Sequence, residues 1–97
     1  MQPVKRVEIV IDAPEVPHLL EVLESVGAKD YTVIKEAYGR GDRGLRGGDV
    51  FSGAFDNTYV LVACPDDVAD RLVEAVRPVL RRRGGLCLVS DALWVRH

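Results

Sequence analysis

The sequence predicts an α+β chain in the order β-α-β-β-α-β: an antiparallel sheet carrying both helices on one face. Three observations predict it. Four segments have the alternation or composition of strands, at residues 4–12, 30–38, 55–64 and 86–95. Two stretches with helical spacing follow the first and third of them. A glycine-rich run separates the two middle strands.

Each element has a local reason. In residues 4–12, Val7, Ile9 and Ile11 share one face, while Arg6, Glu8 and Val10 share the other. Asp12 and Pro14 read as a helix start, with Glu15 in the first turn where the helix dipole favours an anion. Val16, Leu19, Leu20, Leu23 and Val26 give the helix its apolar stripe, and Gly27 is suited to a left-handed end. Tyr31, Thr32, Val33 and Ile34 are strong strand formers. From Gly39 to Gly53 the chain reads GRGDRGLRGGDVFSG and holds six of the nine glycines. Too little apolar surface exists there to offset ordering entropy, so a long mobile loop is expected.

The third strand, FDNTYVLVAC, leads into Pro65-Asp66-Asp67 and a second helix with Val68, Leu72, Ala75, Val76, Val79 and Leu80 on its apolar face. Pro78 removes a helical donor and is expected to bend or end that helix nearby. Arg81-Arg82-Arg83 suits a helix C-terminus, and Gly84-Gly85 closes it. The last strand, residues 86–95, is expected to break near Ser90-Asp91. Each half reads strand, Asp/Pro-type cap, helix, Gly, strand, which is the ferredoxin-like plan, and residues 1–97 are expected to form a single domain. The sheet face without helices needs cover, and Tyr59, Leu61 and Ala63 or their alternates are expected to supply its apolar surface.

Composition limits the function. Of the 97 residues, 47% are hydrophobic and 29% charged, and the net charge is −2. That balance excludes a generally basic nucleic-acid coat. No apolar run approaches the ~18 residues of a membrane span, so no membrane insertion is expected. Two cysteines, Cys64 and Cys87, are too few for a disulfide framework, so a cytoplasmic location is expected. Both fall on strands, where burial accounts for them better than nucleophilic chemistry. His18 and His97 belong to no metal-binding spacing, and the scattered acids form no catalytic set. A non-enzyme is therefore expected, with no metal and no cofactor in the strict sense.

Ten of the 13 basic residues are arginine, the better residue for planar recognition of phosphate and carboxylate. Arg40, Arg43 and Arg46 recur every third residue among glycines. Glycine permits close backbone approach and arginine supplies forked donors, a combination suited to phosphate or a small oxyanion. No Gly-Lys-Ser/Thr follows, so this is not a Walker loop. Arg81-Arg82-Arg83-Gly84-Gly85 forms the second basic group. The aromatic signature of an RNA-binding strand is absent. An RNA-binding ferredoxin-like module and a weak nucleotide hydrolase are the alternative readings.

The run Gly27-Ala28-Lys29-Asp30-Tyr31-Thr32-Val33, followed by Tyr38-Gly39-Arg40-Gly41, resembles the second strand and T-loop entrance of PII signalling proteins. Cys64-Pro65-Asp66-Asp67 is similar to that family's third strand running into its second helix. Gly84-Gly85-Leu86-Cys87-Leu88-Val89-Ser90 resembles its B-loop and fourth strand. Departures accompany the match. Arg82-Arg83-Gly84-Gly85 stands where the B-loop usually carries Gly-Asp-Gly-Lys. The T-loop is shorter and lacks the usual modified-tyrosine context, and no counterpart of the family's C-terminal extension is expected. These point away from nitrogen signalling and 2-oxoglutarate binding, toward the divergent carboxysome-associated, inorganic-carbon-linked branch.

The resemblance implies a homotrimer with adenine nucleotide, ADP or ATP, in each of three inter-subunit clefts. Thr32 would contact the base region, with Ala63 and Cys64 lining the cleft. Gly39, Arg40 and Gly41 would hold phosphate, and Arg82, Arg83, Gly84 and Gly85 would approach from the other side or the neighbouring subunit. Arg43 and Arg46 would meet an effector anion or a partner surface, the anion being bicarbonate by resemblance and bicarbonate, phosphate or a carboxylate on the residues alone. The implied partner is a protein such as a bicarbonate transporter or carboxysome component, in the cytoplasm or at the carboxysome, with no nucleic acid.

Overall fold

The computed structural model describes residues 1–37, 39–41, 44–46 and 57–97. The elements are β1 (Gln2–Asp12), α1 (Val16–Val26), β2 (Asp30–Ala37), β3 (Gly39–Gly41), β4 (Gly44–Arg46), β5 (Asn57–Cys64), α2 (Asp66–Arg83) and β6 (Leu86–Trp94). The four long strands form one sheet in the order β2-β5-β1-β6, and every neighbouring pair is antiparallel. This is the ferredoxin-like βαββαβ plan, with the small β3–β4 ribbon inserted between its second and third long strands.

Strand alternation decides the two faces. Val7, Ile9 and Ile11 of β1 and Val60, Val62 and Cys64 of β5 are buried together with Leu19 and Leu23 of α1 and Val68, Ala69, Leu72, Val76 and Val79 of α2. Both helices therefore cover one face, as strand period and helical stripe require. On the opposite face the register aligns Thr32, Leu61, Glu8 and Leu88 in one row and Ile34, Tyr59, Val10 and Leu86 in the next. Among the described residues no helix covers this face: Ile34 is 54% and Leu88 57% exposed.

Gly27 ends α1 at φ +82°, and the Ala28 N–H donates to the Leu23 carbonyl at 2.9 Å, closing the helix end. Arg71 of α2 donates to the Val26 carbonyl at 3.2 Å, so α2 also covers an unpaired carbonyl of α1.

Four expectations are corrected. Pro78 does not end α2, which continues to Arg83; the packing of Val76 and Val79 outweighs the one lost hydrogen bond. β6 runs unbroken through Ser90 and Asp91, because β1 pairs with it from Leu86 to Trp94. Asp12 and Pro14 do open the helical turn, but Asp12 makes no cap hydrogen bond, the turn Ala13–Glu15 is 3-10, and α1 begins only at Val16. The first part of the glycine-arginine run is a two-stranded ribbon in which Gly39 pairs with Arg46 and Gly41 with Gly44. Arg43 and residues 47–56 lie outside the described residues. A register shift between Lys35 and Ala37 marks a bulge before the ribbon, where the chain leaves the sheet. No helix among the described residues is long and apolar enough to cross a membrane.

Candidate functional site

Two groups of residues converge, at different ends of the sheet. The first is a cavity of about 490 Å³ on the face without helices, within the range of small-molecule sites. Thr32 of β2 and Leu61 and Ala63 of β5 meet Val4 and Arg6 of β1 and Ala92 and Trp94 of β6 along its wall, with Lys29, Asp30 and Tyr31 at the β2 end. Arg6 is held in place: its Nε lies 3.1 Å from Glu8 Oε1 and donates to Ser90 Oγ at 3.1 Å. Tyr59 stands beside Glu8, and burial first, then the hydrogen bond to Glu8, pushes its phenol pKa up. Lys29 and Asp30 make no side-chain hydrogen bond or ion pair with a described residue.

Thr32 and Ala63 thus share a wall, whereas Cys64 does not join them. Its side chain turns to the helix face, where burial, helped by Asp67 and Asp66, pushes the thiol up. Cys87 is partly buried against the core, and burial raises its thiol too. Neither thiol is poised as a thiolate nucleophile.

The second group lies where β1 ends, α2 ends and β5 begins. Arg82 Nη2 is 3.3 Å from Glu15 Oε2. Arg83 Nε is 3.3 Å from Asp12 Oδ2 and 3.8 Å from Glu15 Oε1. These two arginines oppose two carboxylates, so the self-repulsion of the basic run is offset within the chain. Asp12 serves Arg83 here instead of capping α1. The ionic contacts reach Arg83 through Nε, which is buried and has no hydrogen-bond partner among the described residues.

Gly84 and Gly85 follow at φ +76° and +117°. A Cβ on Gly85 would lie 2.4 Å from the Val10 carbonyl oxygen, so the turn is pressed onto β1 at a distance only glycine permits. Asn57 pairs in register with Asp12, is 1% exposed, and has no hydrogen-bond partner among the described residues for either side-chain polar atom.

The two groups do not meet within one chain. Thr32 sits in the row of Glu8 on the β2 edge, and Gly85 lies past Val10 on the β6 side. Three strand spacings and about three residues of rise separate them, on the order of 15–20 Å. Gly39, Arg40, Gly41 and Arg46 lie on the ribbon after the bulge, at the end of the sheet that Asn57 and Asp12 share.

Sequence reasoning passed over Arg6, Lys29, Asp30 and Trp94 as cavity residues and Asp12, Glu15 and Asn57 as the corner's polar partners. The alternation of β1 put Arg6 on the open face. Only the pairing order brings it beside Ala63 and Ser90.

The family model described as nitrogen regulatory protein P-II matches residues 4–97. The chain belongs to that family. CPII from Thiomonas intermedia K12, a nitrogen regulatory PII-like protein solved with ADP, AMP and bicarbonate, superposes with a TM-score of 0.84 at 24% identity, covering 93% of this chain and 86% of that one. A putative PII-like signaling protein from Thermus thermophilus gives 0.76 at 26% identity over 94% and 88%. The GlnK–ATP complex of B. subtilis gives 0.66 at 16% identity over 95% and 84%. A search of curated proteins finds no match. P-II family membership fits the observed βαββαβ order.

Proposed function

We propose that this chain is a non-enzymatic sensor that binds adenine nucleotide, ADP or ATP, in clefts between the subunits of a homotrimer. The observation that carries the reading is the division of the site. Thr32 and Ala63 line a cavity at one place on the open sheet face, while Arg83, Gly84 and Gly85 stand at another. Each is half of a phosphate-and-base site, and an adjoining copy supplies the missing half. The uncovered apolar residues Ile34, Leu86 and Leu88, in two adjacent rows, support a further copy on that face. The chemistry supports binding rather than turnover: forked donors and glycine backbone, with no activated nucleophile among the described residues.

In this reading Thr32 and Ala63 border the base region, with Cys64 contributing main chain only. Gly39, Arg40 and Gly41 hold phosphate at the foot of the T-loop, and Arg82, Arg83, Gly84 and Gly85 approach from the neighbouring subunit. Arg43 and Arg46 receive a small effector anion, with bicarbonate the choice that the CPII complex supports. The ordered loop then meets a protein partner of inorganic-carbon metabolism, such as a bicarbonate transporter or a carboxysome component, in the cytoplasm or at the carboxysome.

Isothermal titration with ADP, ATP and AMP, with and without bicarbonate, tests this. Binding near one nucleotide per chain, altered by bicarbonate, is the expected result. No heat with any nucleotide would remove the sensor reading.

A further inference from the structure

We infer that Trp94 is the stacking wall for the planar base of the bound nucleotide, an assignment that rests on the nucleotide reading above. Trp94 closes β6 opposite Gln2 and lines the open-face cavity together with Thr32, Leu61 and Ala63. The Arg96 guanidinium lies 4.1 Å from the centroid of its ring, and Arg96 Nε donates to Gln2 Oε1 at 3.0 Å. One face of the indole is therefore already covered by a cation that is itself tethered to β1. Arg96 itself does not line the cavity, and the ring's uncovered face is assigned to the ligand.

The rest of the wall is chemically matched to a base. Leu61, Ala63 and Ala92 supply apolar contact, and Thr32 a hydroxyl that both donates and accepts. Asp30 and Lys29, unengaged by described side chains, supply an acceptor and a donor at the β2 end of the same cavity. An aromatic face, small apolar neighbours and a few convergent polar groups favour a heteroaromatic ring over a phosphate or a sugar. Arg96 is then a positioning residue: it holds the indole and does not touch the base.

Trp94 is the chain's one tryptophan, so its fluorescence reports on this wall alone. The test titrates the full chain with ADP and with inorganic pyrophosphate, followed by calorimetry and by tryptophan fluorescence. ADP should quench or shift the emission, and pyrophosphate should not. W94A should weaken ADP roughly tenfold or more, and W94F should retain most of the affinity. R96A should change the emission of the unliganded protein and weaken ADP less than W94A does. ADP heat without any fluorescence change, or W94A binding ADP as well as wild type, overturns the stacking assignment while leaving the nucleotide reading intact. Absence of ADP heat in the wild type overturns both. Should W94A fail to fold, the wild-type fluorescence and W94F decide the matter.

Discussion

Replacing Gly85 with alanine tests how α2 is turned into β6, and hence how the corner beside Arg83 is built. The added Cβ would stand 2.4 Å from the Val10 carbonyl oxygen, with Leu80 Cδ2 at 3.3 Å and Ile11 Cγ2 at 3.4 Å. Reaching an ordinary 3.4 Å from that oxygen requires a backbone shift of about 1 Å in a strand paired on both sides. The φ of +117° adds left-handed strain of ~1–2 kcal/mol, and overpacking adds ~1–3 kcal/mol. The sum, ~2–5 kcal/mol, lowers the melting temperature by roughly 10–25 °C for a chain of this size. Gly27→Ala is the matched control: its φ is +82° but nothing lies within 4 Å, so only the strain of ~1–2 kcal/mol applies. Thermal unfolding of both variants by circular dichroism, at one protein concentration, makes the comparison. Equal losses for the two variants would refute the steric argument.

Two further outcomes follow from the same geometry. A double-mutant cycle of Asp12→Ala and Arg83→Ala should give a coupling of ~0.5–1.5 kcal/mol in denaturant unfolding, since the pair is only partly buried; zero coupling would mean that Asp12 does not hold Arg83. Cys64 should resist alkylation in the folded chain and react on unfolding. Its folded pKa is raised by burial, so its contribution is full below the ordinary thiol range and declines as pH climbs toward the raised value. A Cys64→Ala variant should lose stability less steeply than wild type through that alkaline window, measured by denaturant midpoints against pH.

The fold was legible because its signals are local and agree. The alternation of Val7, Ile9 and Ile11, the stripe of Leu19 and Leu23, and Gly27 each specify an element without help from the rest. Pro78 misled because its cost is local while the packing that outweighs it is tertiary. The ribbon at Gly39–Arg46 was hidden by glycine content, which weakens any strand signal though the backbone pairs. For the site, Thr32 and Ala63 came from the family resemblance, and the pairing register puts them on one face of the sheet. Cys64, one residue further, had to face the other way, as period two dictates. Asp12 and Glu15 read as helix-start residues, because nothing local indicates that α2 returns its C-terminus beside them. Trp94 sits at the end of β6, and only the antiparallel pairing with β1 brings it to the Thr32 cavity.

The most direct test of the divided site is complementation. A Thr32→Arg chain blocks the cavity half, and an Arg83→Ala chain removes the corner half. ADP binding should be weak in each alone and should recover when the two are unfolded together and refolded as mixed assemblies, because some clefts then combine two intact halves. A mixture that binds no better than the two variants refolded separately would contradict a nucleotide site shared between subunits.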